Sequence, residues 1–222
     1  MTVDVCYQLM LSIMRKNQAG GLSAVLFQQF FNAEQTAYQS DLLGRWQARS
    51  NGKTGMSTGL IENETILTKL TPFTENNGLT VIAGKAVKAV DFVYTLAMRI
   101  NNMQVQALPK SQLAAMLTSV IDPPSTEDNC YYYTEYRDYY SFFPDSISLA
   151  DVDYIRRPVD VIWGFTYDAN DRQQYDPGTS IDPEWMEADC VEIVRRCLKT
   201  LGVSFKDADF TNYGNSVIQT GD

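Results

Sequence analysis

An α+β fold is expected for this chain, with an N-terminal helical hairpin, a central antiparallel β-sheet or sandwich and an amphipathic C-terminal helix. Three observations lead there: helical spacing of apolar residues in the first third, a dense aromatic and β-branched middle, and a capped amphipathic stretch near the end. One domain is expected over residues 1–222, mainly helical over 1–72 and mainly β over 73–180, with a closing helix over 181–202 and a tail over 203–222. At this length folding buries roughly 70% of the surface the unfolded chain exposes, so a core needs no staples.

Val5, Leu9, Ile13 and Met14 recur near helical turns and predict a helix from Val3 to about Lys16. Asn17 to Gly21 stops it, and Ser23 is placed to cap a second helix reaching about Arg49. Leu26, Phe27, Phe30, Phe31, Ala33 and Ala37, continued by Leu42 and Trp46, give that helix a broad apolar stripe, which the first helix is expected to cover as an antiparallel neighbour. Ser50 to Gly59 reads as a glycine-rich loop. Gly52-Lys53-Thr54 ends like a P-loop, but the motif's first glycine would fall at Gln47, inside the predicted helix. Ile61 to Leu70 predicts a short helix before Pro72-Phe73.

The middle reads as strands. Leu79 to Ile82 and Phe92 to Ile100 carry the β-forming residues, Asn101-Asn102 a turn, and Met103 to Ala107 a strand-like alternation. Pro109 is placed at the first position of a helix over Lys110 to Val120, and Pro123-Pro124 forces an extended step. Eight aromatics between Tyr131 and Phe143 predict two short strands around Arg137-Asp138. Ile147 to Leu149, Val152 to Ile155 and Val161 to Tyr167 follow, the last closing through a turn at Asp168 to Asp171 onto Gln173 to Tyr175. The final helix is expected to start from Asp182 as cap with Pro183 behind it, to line one face with Cys190, Val191, Val194, Cys197, Leu198 and Leu201, and to end at Gly202.

Composition restricts the chemistry. The chain has no histidine, which removes Ser-His-Asp and Cys-His nucleophile systems and HExxH zinc sites. Cys6, Cys130, Cys190 and Cys197 form no CxxC pair and read as reduced thiols filling a core. Asp168, Asn170 and Asp171 begin like a calcium loop, but the third ligand is misplaced and the EF-hand glycine is missing. Carboxylate pairs for glycoside hydrolysis drawn from Asp151, Asp153, Asp176 or Asp182 lack any spacing that brings two together. A non-enzyme without metal or cofactor is therefore expected. The net charge of −9 disfavours general nucleic-acid binding, no apolar run reaches membrane-spanning length, and Met1-Thr2-Val3-Asp4 carries no secretion signal. The aromatic run reads as sheet packing, as a contact surface or as a sugar-binding platform, according to its exposure.

The order of these features resembles virion proteins of crAss-like and related phages of Bacteroidetes. Phe30-Phe31-Asn32-Ala33-Glu34-Gln35 is similar to the core of their second helix. Leu70-Thr71-Pro72-Phe73 followed by Gly84 looks like the entry to their β-region, and Asp122-Pro123-Pro124-Ser125 like their central proline step. The series Asp153-Tyr154-Ile155-Arg156-Arg157-Pro158, Trp163-Gly164-Phe165, Tyr175 and Ser180-Ile181-Asp182 resembles the family's late pattern. The resemblance implies a head–tail connector ring subunit, synthesised and assembled in the host bacterial cytoplasm and resident in the virion. Implied partners are further copies in a ring, usually twelve-fold, the portal protein and adjacent connector or tail proteins, with DNA passing through unbound. It implies no catalytic residues. Phe27, Phe30, Phe31, Trp46, Tyr132, Tyr136 and Trp185 are the candidate subunit-interface residues. The glycine-rich loop and the long tail depart from the pattern.

Overall fold

The structure is a computed structural model that describes residues 1–16, 21–50, 64–118 and 123–202. The Gly52-Lys53-Thr54 stretch and the polar tail lie outside the described residues. An α+β fold is observed, with helices at both ends and sheets between them. Contacts divide the chain into two compact units: the described residues of Met1–Lys69 and Pro158–Asp222, and Leu70–Arg157. Two units thus stand where one domain was expected. The reason is that the chain beyond Arg157 returns to the N-terminal helices instead of extending the sheets.

The first unit is helical. In α1 (Val3–Lys16), Val3, Cys6, Leu9, Met10 and Met14 are buried at helical spacing. Ser23 caps α2 (Ala24–Ser50) as expected, its Oγ accepting the Leu26 N–H at 3.2 Å. A short helix, α3, covers residues 64–70. α1 and α2 meet through Tyr7 and Phe27, ring centroids 5.2 Å apart, and the Tyr7 hydroxyl donates to the Leu22 carbonyl at 2.8 Å. Both helices also pack on the C-terminal helix, whose buried face carries Cys190, Ile193, Val194, Cys197 and Leu198.

That helix, Glu187–Thr200, starts five positions later than the expected cap at Asp182. Asp182 does cap a helix, but a different one. Its Oδ1 accepts the Val3 N–H at 2.7 Å, satisfying a free donor at the start of α1. Glu184 is likewise engaged, taking the Val159 N–H at 3.0 Å.

A row of amides on α2 binds the returning chain. Gln28, Asn32 and Gln35 are spaced i, i+4, i+7 and so share one helical face. Gln28 Nε2 donates to the Trp163 carbonyl at 3.1 Å, Asn32 Nδ2 to Val161 at 3.1 Å and Gln35 Nε2 to Val159 at 3.0 Å. Asn32 Oδ1 accepts the Val161 N–H at 2.8 Å. The extended segment thus obtains from a helix the backbone bonds that a sheet would otherwise supply. The hairpin of β9 (Phe165–Tyr167) and β10 (Gln173–Tyr175) follows it.

The second unit is a sandwich. Its strands are β1 (Thr74–Thr80), β2 (Lys85–Val87), β3 (Phe92–Ile100), β4 (Met103–Gln104), β5 (Gln106–Ala107), β6 (Tyr132–Glu135), β7 (Tyr139–Phe143) and β8 (Leu149–Arg156). They form two sheets, ordered β1-β8-β3-β4 and β2-β7-β6-β5. Leu79, Met98, Val152 and Tyr154 from the first sheet share one core with Ala86, Tyr133, Tyr140 and Phe142 from the second.

Pairing is antiparallel except between β5 and β6, which run parallel. The strand expected over Met103 to Ala107 divides at buried Val105: β4 pairs with β3 in one sheet and β5 with β6 in the other. The two strands expected over Ile147 to Ile155 are one, β8. β1 begins earlier than expected, in the polar run Thr74-Glu75-Asn76-Asn77, because Glu75 and Asn76 bond across to Arg156 and Asp153 at 2.7 Å each. A further helix, α4 (Lys110–Leu117), has Pro109 at its cap instead of its first turn. The C-terminal helix Glu187–Thr200 is therefore α5. Among the described residues no helix is long and apolar enough to cross a membrane.

Candidate interaction surface

Four of the seven expected interface residues lie in the chain's own core. Phe27, Phe31, Tyr132 and Trp185 are buried, so no neighbour reaches them without unfolding. Their stripe is core because α2 is covered on its apolar face: Phe27 packs on Tyr7, and Trp185 tilts against Tyr38 with centroids 5.2 Å apart. Phe30, Trp46 and Tyr136 are half-buried. Phe30 and Trp46 belong to the helical unit and Tyr136 to the other.

The tyrosine run sorts itself by strand alternation. Tyr131, Tyr133, Tyr140 and Phe142 point into the sandwich. Burial pushes the Tyr133 hydroxyl up to about 12, so it stays protonated at any physiological pH. Tyr136 and Tyr139 sit on the other face, at the mouth of the β6–β7 hairpin, where the Tyr136 N–H donates to the Tyr139 carbonyl at 2.9 Å. Their rings stack at 4.6 Å and 9°. Lys110 Nζ lies 4.2 Å from the Tyr136 centroid, and Lys85 Nζ lies 5.5 Å from that of Tyr139. The four side chains form a cation–ring–ring–cation ladder. Lys85 and Lys110 are exposed and make no ion pair among the described residues. Lys88 is different: buried over the Phe92 ring at 4.2 Å, it bonds Glu135 at 2.6 Å.

A polar centre lies in the first unit. Asp189 Oδ1, buried on α5, accepts the Tyr38 hydroxyl at 2.8 Å and the Lys69 ammonium. Burial raises the Tyr38 hydroxyl, and the Asp189 bond adds to it. Burial alone would lower Lys69, but its bonds to Asp189 and Tyr38 hold it above the usual lysine value. Nearby, a groove of about 720 Å³ runs between α2 and α5. Along it Arg196 bonds Asp41 at 2.8 Å and Glu192 at 3.4 Å, and Thr200 donates to Glu34 at 2.6 Å. The Arg196 bond holds the Asp41 carboxyl below its ordinary value.

The residues weighed for chemistry are also engaged. Asp168 Oδ1 takes the N–H groups of Asn170 and Arg172 at 2.8 and 2.9 Å, a hairpin turn. Asp176 Oδ1 takes the Gly178 N–H at 2.9 Å. Asp153 bonds Arg99 at 2.8 Å. No group of three His, Cys, Asp or Glu that would hold a metal occurs among the described residues. The thiols of Cys6, Cys190 and Cys197 are buried, and burial pushes Cys197 up to about 12.

The late motif residues are scaffold. Arg156 Nε bonds Glu75 at 2.7 Å, and the Arg157 N–H donates to the Asp91 carbonyl at 2.8 Å. Trp163 Nε1 donates to Asp4 at 2.9 Å. A Cβ on Gly164 would stand 2.2 Å from Thr179 Oγ1, and the Gly164 N–H donates to Ser180 Oγ at 2.9 Å. No family model matches the chain, and no curated protein is similar to it.

Proposed function

We propose that this chain is a structural subunit of a ring in the head–tail connector of a tailed phage, beneath or next to the portal, forming part of the conduit for DNA. The observation that carries the reading is the use of the late motif. Arg156, Trp163, Gly164, Ser180 and Asp182 all bond or pack within the chain itself, as residues defining an architecture do. The resemblance in motif order supplies the identity of that architecture. A net charge of −9 suits a channel wall past which DNA slides without sticking. The partners are further copies of the chain, the portal protein and neighbouring connector or tail proteins.

A carbohydrate-binding module would use the tyrosine run as an exposed platform. Tyr131, Tyr132, Tyr133 and Tyr140 are buried, which leaves only the stacked pair Tyr136 and Tyr139 of that run for such a platform. A tail-completion role differs only in position within the particle.

Imaging of purified particles at subunit resolution tests the reading. The expected result is a closed symmetric ring between portal and tail. Single copies, or trimers on peripheral fibres, would overturn it.

A further inference from the structure

We propose that the Lys85–Tyr139–Tyr136–Lys110 ladder is one half of a head-to-tail contact between copies of this chain, its occupant being the acidic, apolar stretch 159–187 of a second copy. The proposal rests on the connector-ring reading and names the contact that such a ring requires. A ring closes through heterologous contacts, in which two different faces of one subunit meet their complements on its neighbours. Both faces must therefore be present, and exposed, on a single chain.

The first face is cationic and apolar in a protein that is acidic overall. Besides Lys85 and Lys110 it carries Arg137 at the hairpin tip, 95% exposed at its side chain and only 3.8 Å from Asp138 in a loose pair. Val87 pairs directly with Tyr139 across the β2–β7 ladder and is 76% exposed. Val90, just beyond β2, is fully exposed. Rigid stacked tyrosines, lysine stems and bare valines together have the composition of an interface centre.

The second face is its complement. Between Val159 and Glu187 the chain has seven carboxylates and a single base, Arg172. Asp160, Asp171 and Glu187 are exposed and make no ion pair among the described residues. The same stretch leaves Val159, Ile162, Ile181 and Met186 exposed. The Val159 N–H bond to Glu184 and the Ile162–Ile181 bridge hold these residues in place without a partner. Each face thus offers what the other lacks: unpaired charge of opposite sign around exposed aliphatic groups.

A nucleic-acid backbone is the rival occupant of the cationic face. Three cations, one beside Asp138, neutralise few phosphates, and the net charge of −9 repels the polymer. A phosphate chain also leaves Val87 and Val90 in water.

The test compares the full chain with two charge-reversed forms, Lys85→Glu/Lys110→Glu and Asp160→Lys/Glu187→Lys, by sedimentation velocity over a concentration series at low and high salt. All four residues are exposed, so circular dichroism should match the parent chain, with a slightly lower melting temperature where Glu187→Lys puts a cation at the start of α5. The parent is expected to self-associate, less so at high salt. Each variant alone should associate at least about tenfold more weakly, and mixing the two should restore association. Association of the variants equal to the parent's would overturn the contact while leaving the ring reading intact. A parent that stays monomeric throughout also overturns it, and the ring reading then stands or falls on particle imaging. Loss of binding to a short DNA duplex in Lys85→Glu/Lys110→Glu, with self-association unchanged, would assign the face to nucleic acid instead.

Discussion

The two units solve the problem of register differently. In the sandwich, β6 and β7 are joined by a short hairpin and β8 meets the distant β1 and β3 through backbone ladders; Thr95 and Thr134 are its buried neutral polar residues, and Lys88 is buried against Glu135. The helical unit joins segments more than a hundred positions apart, and it buries Gln35, Gln39 and the carboxylate of Asp189. A hairpin fixes its register through the turn. Distant segments have no turn to do so, and directional bonds from Gln28, Asn32 and Gln35 set where the returning chain lies on α2. Apolar packing alone is less particular about position.

The largest effects should separate these strategies. Asp189→Ala leaves the Tyr38 hydroxyl and the Lys69 ammonium without their acceptor, and should cost about 3–5 kcal/mol in denaturant unfolding. Phe142→Ala opens a cavity in the aromatic core and should cost a similar amount, about 3–5 kcal/mol. The two should differ in place: hydrogen exchange should rise in α2 and α5 for the first, and in β6 and β7 for the second. If Asp189→Ala weakened both units equally, the comparison would fail. Asn32→Ala, which strips both bonds from Val161, should cost about 1–3 kcal/mol, with added proteolysis at Val159 to Trp163 as the readout.

Alkaline pH gives a finer contrast. Tyr133 and Tyr154 hold their protons to about 12 in the fold, against about 10 when unfolded, so their contribution is complete below pH 10 and is lost as pH rises towards 12. Tyr133→Phe should flatten that decline in the sandwich. The decline in the helical unit, where Lys69 and Tyr38 are also raised, should persist in this variant. The smallest effect is expected from Ser23→Ala, about 1 kcal/mol by thermal melting, from the lost cap of α2.

Most elements were legible because their signals are local. The ends of α1, the Ser23 cap, the whole of β3 and the hairpins around Arg137-Asp138 and Asp168 to Asp171 follow from spacing and turn residues. The polar start of β1, Thr74 to Gly78, was hidden because its partners on β8 are far away in sequence. The start of α5 was misplaced because Asp182 has the right chemistry for a cap and serves another helix. The interface candidates were chosen as large aromatics, and most are core, since a sequence marks apolar faces without marking which are covered. Tyr136 survives as part of the ladder. Tyr139 lies in the same aromatic run, but nothing in the sequence links it to Lys85 and Lys110. The amides of α2 did carry a readable signal, the i, i+4, i+7 spacing beside the phenylalanines.

In sequence, the sandwich is one uninterrupted stretch of chain between the two segments that make up the other unit. During synthesis, the ribosome therefore releases Leu70–Arg157 complete while α1 and α2 still wait for α5. The order of completion is the reverse of the order of appearance: the part made first is finished last. Until α5 emerges, the faces of α1 and α2 that pack on it remain open, and the nascent chain is most exposed to aggregation in that interval.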